Sequence, residues 1–195
     1  GSFQPALCGD QIYFVGFNGI EGENPPAPVY YLKLDGSTDF KGIRGSPFSF
    51  TTQHVPLLAA SPDGKWLYMT GGSPHVHSVL RRARAGEELA EPFLGKFGKG
   101  AKGFTAAPPS SDNGAFSSAG GIDCDARGNI YVCDQLNNRL QIFTGEGKFL
   151  KAVPVERPRL LRVHQKTGAI YVLHVPLVKG KGVGRITKLT SLEDP

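Results

Sequence analysis

The sequence predicts an all-β fold made of repeated four-stranded antiparallel sheets that stack radially, as the blades of a β-propeller do. Three observations carry this prediction: short apolar runs bounded by turn residues, a layout of such runs that recurs along the chain, and a composition rich in turn formers. The 195 residues include 26 glycines and 15 prolines. Without a collagen period, that much glycine and proline indicates many turns between short strands. No apolar stretch is long enough to span a bilayer.

The clearest repeat lies between residues 121 and 150 and reads GIDCDARGNIYVCDQLNNRLQIFTGEGKFL. Three short runs, Gly121–Cys124, Ile130–Cys133 and Arg139–Phe143, are rich in the β-branched and aromatic residues that strands favour. A TGEG turn then leads into a fourth run, Lys148–Val153. Turn residues occupy the positions between the runs, so we predict an antiparallel four-stranded meander.

The same layout occurs at three other places in the chain. The glycine of the first turn of each repeat marks it, and these glycines are Gly9, Gly64, Gly128 and Gly168. The shortest step between them, 40 residues, is close to the period of a propeller blade, and the longer steps indicate loop insertions. We therefore predict a single propeller domain whose blades cover roughly residues 3–45, 54–95, 118–154 and 158–192. The first two residues, Gly-Ser, resemble residues left by an expression vector.

One segment of the second repeat is ambiguous. Within Ser78–Phe93, the spacing of Leu80 and Arg84, and of Arg84 and Glu88, is that of a helix. The alignment with the other repeats favours a strand, a turn and a second strand instead.

The segment GGIDCDARGNIYVCDQLNNRLQIFTGEGKFL closely resembles an NHL repeat. The positions that carry the resemblance are Asp125, Gly128–Val132, Asp134, Asn137–Arg139, Phe143 and Gly147–Lys148. The other repeats match more loosely, mainly in layout. The resemblance implies a β-propeller, most often a six-bladed one in this family. Here about four blades are present and the last one, ending in GRITKLTSLEDP, offers no fourth strand. We therefore expect a fragment of a larger propeller, or a protomer that self-association or a missing segment completes.

The resemblance also indicates where a ligand would bind. In propellers, the loops between second and third strands and between successive blades form the face at which ligands usually bind. The residues that we assign to this face are Asp134, Asn137, Asn138, Arg139, Arg159, Lys179 and Lys181. For the aspartate and the Asn-Asn-Arg run, the alternative is a capped turn whose side chains bond local backbone groups.

Four histidines suggest a metal-binding alternative. His75, His77 and His174 fall in loops of the predicted ligand face, and His54 precedes a first strand near the channel mouth. Neutral imidazoles that converge on a channel could hold a divalent metal, zinc or calcium, and an open coordination position would make a Lewis-acid site. NHL-like amidating lyases are similar in using a channel metal. Solvent-exposed loop histidines are the simpler interpretation.

The remaining motifs exclude several chemistries. The sequence contains no Gly-x-Ser-x-Gly elbow, no phosphate loop and no His-Glu-x-x-His motif. The three cysteines, Cys8, Cys124 and Cys133, lack metal spacing, and we predict small buried apolar residues. The net charge of +5 permits an anionic partner without requiring one.

We predict a non-catalytic scaffold that binds a protein, peptide or glycan on its loop face. A metal-dependent lyase or hydrolase is the alternative. An RNA-binding module is the third hypothesis and the least favoured, because few aromatic residues lie among the basic loops. We expect an extracytoplasmic location, as in many bacterial proteins that resemble this one.

Overall fold

The computed structural model describes residues 5–15, 29–37, 39–45, 56–70, 79–96 and 110–192. As the sequence predicts, the fold is all-β, and four antiparallel sheets are arranged as the blades of a β-propeller. The described residues contain no α-helix, and none of their helical structure is long and apolar enough to cross a membrane. A single turn of 3-10 helix occurs at Gln135–Asn137.

The strands follow the chain in order within each blade. Blade 1 consists of β1 (Ala6–Cys8), β2 (Gln11–Val15), β3 (Val29–Lys33) and β4 (Lys41–Gly42). Blade 2 consists of β5 (Leu58–Ala60), β6 (Trp66–Thr70), β7 (Val79–Arg84) and β8 (Ala90–Gly95). Blade 3 consists of β9 (Ala119–Cys124), β10 (Ile130–Asp134), β11 (Arg139–Phe143) and β12 (Phe149–Pro154). Blade 4 consists of β13 (Pro158–Val163), β14 (Ile170–His174) and β17 (Arg185–Leu189), with a separate hairpin of β15 (Leu177–Val178) and β16 (Lys181–Gly182).

The ambiguous segment of blade 2 is a pair of strands, so the strand prediction is confirmed there. Strand β7 pairs with β6 on one side and with β8 on the other. Leu80 and Ala83 are buried between sheets. The helical spacing of Leu80, Arg84 and Glu88 does not produce a helix, because tertiary packing decides between helix and strand in a short apolar segment.

The core lies between successive blades in three clusters. The first strands of neighbouring blades lie side by side, and β9 approaches β13 most closely. Gly121 permits this approach, since a Cβ atom on it would lie 2.6 Å from the Cα atom of Leu160. Each blade is hydrophobic on both faces, and each face between two blades is buried by its neighbour.

The outer face of blade 4 has no neighbour among the described residues. Leu160, Leu173 and Ile186 are cross-strand partners and are 40%, 37% and 74% exposed. Such a row of exposed apolar side chains is typical of a surface that packs against something else. The prediction that self-association or a further segment completes the propeller is consistent with this face and stays a prediction.

Candidate functional site

The two ends of the propeller differ in how their connections are built. We call the end that carries the connections between second and third strands, and between blades, the loop face. The opposite end, with the tight turns inside each blade, is the turn face. On the loop face, the described connections are the segments 110–118, 134–139, 154–158 and 174–185. The predicted histidines His54, His75 and His77 lie outside the described residues.

Asp134 is the centre of the loop face of blade 3. Its side chain is fully buried and accepts hydrogen bonds from Arg139 Nε at 2.8 Å, Asn137 Nδ2 at 2.8 Å and Gln141 Nε2 at 3.0 Å. The backbone N–H of Ser117 donates to the other carboxylate oxygen at 2.8 Å. Because a buried carboxylate requires such donors, this residue organises the loops and does not present itself to a ligand.

All three side chains that bind Asp134 also fix the preceding inter-blade segment, those of Arg139 and Asn137 as follows and that of Gln141 as described below. Arg139 Nη2 donates to the carbonyl oxygens of Asp112 at 2.9 Å and Ala115 at 3.3 Å. Asn137 Nδ2 also donates to the carbonyl oxygen of Ser110 at 2.8 Å. The role of these residues is structural, but they do not form a locally capped turn: the 3-10 turn has no side-chain cap, and the backbone partners lie 17 to 27 residues away. These bonds hold segment 110–118 against blade 3.

Asn138 connects the loop face of blade 3 to that of blade 4. It has a left-handed backbone with φ of 53°. Its side-chain oxygen accepts from the backbone N–H of Arg157 at 2.9 Å, and its carbonyl oxygen accepts from the N–H of Val155 at 3.1 Å. Arg157 in turn accepts from the N–H of Val175 at 3.2 Å through its carbonyl oxygen. This series of bonds joins two blades and the hairpin into one surface.

His174 is the only one of the four predicted metal ligands that lies among the described residues. It ends β14 and is buried. Nδ1 lies 3.1 Å from the carbonyl oxygen of Glu156, to which it must donate, and Nε2 lies 2.9 Å from the hydroxyl of Thr187. Both ring nitrogens therefore have protein partners. The described part of the chain contains no group of three side chains placed to hold a metal ion.

Three of the basic residues predicted on this face, Arg159, Lys179 and Lys181, are exposed to solvent, whereas the side chain of Arg139 is only 14% exposed and binds Asp134. Arg159 is the second residue of β13, the inner strand of blade 4, at its loop-face end. Lys179 occupies the tip of the β15–β16 hairpin and Lys181 lies in β16. Lys179 and Gly180 have φ of 49° and 77°, as a two-residue type I′ turn requires. The sequence predicts that Lys179 and Lys181 lie in a loop of the ligand face, and the structure contains this hairpin instead.

Sequence reasoning missed two side chains of the loop face. Gln141 is fully buried, and its side chain donates to the carbonyl oxygen of Ala115 at 2.6 Å and accepts from the N–H of Gly114 at 2.9 Å. Its position, two residues after Arg139 on the same strand face, is the signal that could have indicated it. Glu156 accepts from the N–H of Leu177 at 3.0 Å and fixes the start of the hairpin. No spacing in the sequence links these two positions.

A groove of about 940 Å³ opens on the turn face, between blades 2 and 3. One wall carries Trp66 and Arg82, whose guanidinium lies 4.1 Å from the indole centroid and 4.4 Å from the ring of Phe93. Arg82 also pairs with Glu91 at 2.7 Å. The cationic group of this wall is therefore engaged within blade 2.

The three cysteines are buried free thiols, as predicted. Burial raises the pKa of the Cys8 thiol to about 11 and raises those of Cys124 and Cys133 further. Since the thiolate is the reactive form, none of them can act as a nucleophile near neutral pH. Burial also raises the pKa of Asp123, although the backbone N–H of Val163 donates to it.

The fold and these surfaces can be compared with known proteins. No family model matches the chain, and no curated protein matches it. Among solved structures, a gluconolactonase from Xanthomonas campestris is similar at a TM-score of 0.56 and 16% identity, over 87% of this chain and 52% of that one. A luciferin-regenerating enzyme is similar at 0.57 and 14% identity, over 98% and 61%. The calcium-binding protein regucalcin from Agrobacterium tumefaciens gives 0.52 and 13%, over 90% and 52%.

These similarities define the class of fold, a β-propeller, and nothing finer. The chain spans about half to three fifths of the length of the structures that it matches. At sequence identities of 13–16%, structural similarity shows a shared fold and does not show a shared activity.

Proposed function

We propose that this chain is a non-catalytic β-propeller scaffold that binds a protein, peptide or glycan ligand on the loop face of blades 3 and 4. The proposal extends the resemblance of residues 121–150 to an NHL repeat. It requires only a rigid surface with exposed side chains of mixed chemistry, because a scaffold performs no bond-making step.

One observation carries this proposal: the distribution of left-handed backbone conformations. On the turn face, every described hairpin places a glycine at a position with positive φ, and these glycines are Gly9, Gly36, Gly64, Gly86, Gly128, Gly147 and Gly168. All described residues other than glycine with positive φ lie on the loop face, and they are Ser118, Asn138, Arg157 and Lys179; Gly114 and Gly180 of the same face also have positive φ.

The energetic cost of these conformations supports a functional role for their side chains. A left-handed conformation costs an L-residue roughly 1–2 kcal/mol, and glycine avoids that cost. Arg157 also precedes Pro158, and a following proline disfavours helical backbone angles and favours an extended backbone. Retained strain of this kind clusters at functional sites. Glycine at these positions would avoid that cost. The presence of other residues there therefore supports a functional role for their side chains.

Selection of ligands from a displayed peptide library and a glycan array tests the scaffold proposal. We expect the wild-type chain to retain at least one peptide or glycan. A variant carrying Leu177→Ser and Lys179→Ser should lose it, because both exposed positions belong to the loop-face hairpin. Lys166→Ser, in a turn of the opposite face, is the matched control and should keep the ligand. Retention by all three proteins would contradict a loop-face site.

A metal-dependent hydrolase or lyase is the second candidate. The similarity to a gluconolactonase and to a calcium-binding protein supports it, whereas both ring nitrogens of His174 already have protein partners. Elemental analysis of the purified chain, with a lactone-hydrolysis assay before and after chelation, tests this candidate. Stoichiometric zinc or calcium that is lost on replacing His75 and His77, with lactone hydrolysis that chelation abolishes, would displace the scaffold proposal.

A further inference from the structure

The hairpin region of the loop face exposes four aliphatic side chains. We call it the hairpin platform and define it by residues 135–138, 156–157 and 175–184. Its exposed aliphatic side chains are Leu136 at 60%, Leu177 at 51%, Val178 at 40% and Val183 at 39%. Such side chains grouped at one end of a fold indicate a surface that another molecule covers.

Basic side chains surround this aliphatic surface. Arg157, Lys179 and Lys181 belong to the platform, and the part of the chain that the structure describes places no carboxylate within ion-pair distance of them. The platform's own acid, Glu156, accepts a hydrogen bond from the N–H of Leu177. The platform segments contain these three basic residues and one acidic residue, so their net charge is positive.

The platform is also fixed in shape before any ligand binds. The bonds from Asn138 to Arg157, and from Arg157 to Val175, join its three segments. The N–H of Val183 donates to the carbonyl oxygen of Pro176 at 2.9 Å and closes the hairpin. A preorganised surface loses less conformational entropy on binding than a mobile loop does.

The side chains of the hairpin platform favour an acidic polypeptide over RNA as the anionic partner. RNA-binding surfaces stack bases on aromatic rings, and the platform contains no aromatic residue. Leucine and valine side chains instead fit apolar side chains of a polypeptide, while lysine and arginine fit its carboxylates. We propose that the hairpin platform binds an acidic polypeptide segment that carries aliphatic side chains. This inference rests on the proposed scaffold function and names its class of partner.

Fluorescence anisotropy with labelled probes tests the partner class. The main probe is a fluorescein-labelled peptide composed of glutamate, leucine and glycine. A peptide of glutamate and glycine alone supplies the charge without the aliphatic side chains, and a labelled oligouridylate supplies charge with bases. We expect the first probe to bind most tightly, with an affinity that falls as salt is added.

Charge-reversal variants locate the binding site. Lys179→Glu with Lys181→Glu should weaken binding of the main probe at least about tenfold, which corresponds to ~1.4 kcal/mol. Leu177→Ser should also weaken it, since the aliphatic contact is removed. Lys166→Glu places the same charge change on the turn face and should leave the affinity within about twofold. Circular dichroism and denaturation confirm that each variant is folded.

The outcomes separate this inference from the scaffold proposal. Equal binding of the two peptides, tighter binding of the oligouridylate, or no binding of the main probe to the folded chain would each overturn the acidic-polypeptide inference. If library or array selection still recovers a ligand that requires Leu177 and Lys179, the scaffold proposal stands and only its partner class is wrong. If no such ligand is recovered either, both fail.

Discussion

At the scale of single residues, Asp134 determines the shape of the loop face of blade 3. It is a fully buried carboxylate that binds three side chains and one backbone N–H. Removing one partner of a buried ion pair leaves the other charge uncompensated in a poorly solvated place. The residue therefore matters for stability first and for any ligand only through the loops that it positions.

Asp134→Ala should lower the free energy of unfolding by about 3–5 kcal/mol, because the buried guanidinium of Arg139 loses its carboxylate. Chemical denaturation measures this change. Asp39→Ala, which removes a carboxylate that is 75% exposed, is the control and should have a much smaller effect. A loss for Asp134→Ala no larger than that of the control would show that Arg139 and Gln141 find other partners.

Gly121 is the second residue on which the structure depends, because β9 and β13 meet there. Gly121→Ala should destabilise the protein by about 1–3 kcal/mol, since its methyl group would overlap the backbone of Leu160. Denaturation curves measure the loss. Gly184→Ala is the matched control, as a methyl group there meets no atom within 4 Å. Equal free energies of unfolding for the two variants would mean that β9 and β13 move apart to accommodate the methyl group without loss of stability.

At the scale of elements, the β5–β6 turn has a stability that depends on pH. The Ser61 hydroxyl and the N–H of Lys65 donate to Asp63, which lowers the pKa of that carboxyl to about 2. A carboxyl group whose pKa is lower in the folded state stabilises the protein above its unfolded pKa, near 4. That contribution is lost as the pH falls toward 2.

Unfolding of wild type and Asp63→Ala across this pH range tests the turn. We expect the wild type to be the more stable protein from neutral pH down to about 4, and the difference to vanish by about pH 2. Two curves that run parallel over the whole range would show that the hydrogen bonds of Asp63 contribute nothing to folding.

Substitution of Lys179 in the β15–β16 hairpin should change stability and ligand binding in opposite directions. Lys179→Asn supplies the residue that the first central position of a type I′ turn prefers. It should keep or raise the free energy of unfolding, by up to about 1 kcal/mol, because the left-handed strain is relieved. The same change should weaken binding of the acidic peptide probe, which anisotropy measures. A variant that is less stable, or that binds as well as wild type, would contradict the role given to this side chain.

The strands were predictable from sequence, because the strand period and turn glycines are local signals. The meander of blade 3 and the paired strands of blade 2 follow from them. The Asp134 cluster was less predictable, since it depends on Gln141 and on the carbonyl oxygens of segment 110–118, which only the tertiary fold brings near. The β15–β16 hairpin was missed because Lys-Gly is a weak turn signal compared with Asn-Gly.

At the scale of the whole molecule, the two ends of the propeller differ in how they are built. The turn face is built for stability, with glycine at its left-handed positions. The loop face of blades 3 and 4 is built from strained residues, buried polar contacts and exposed aliphatic and basic side chains. A scaffold function depends on this loop face being rigid in the free protein, since only a rigid surface gains from preorganisation.

Amide hydrogen exchange of the free chain tests that claim most directly. We predict slow exchange for the backbone N–H groups of Val155, Arg157, Val175 and Leu177, each of which donates within the loop-face network. Their protection should approach that of the strand amides of blade 3. Rapid exchange at these four amides, with the strands protected, would mean that the network opens freely, and it would contradict a preorganised binding surface.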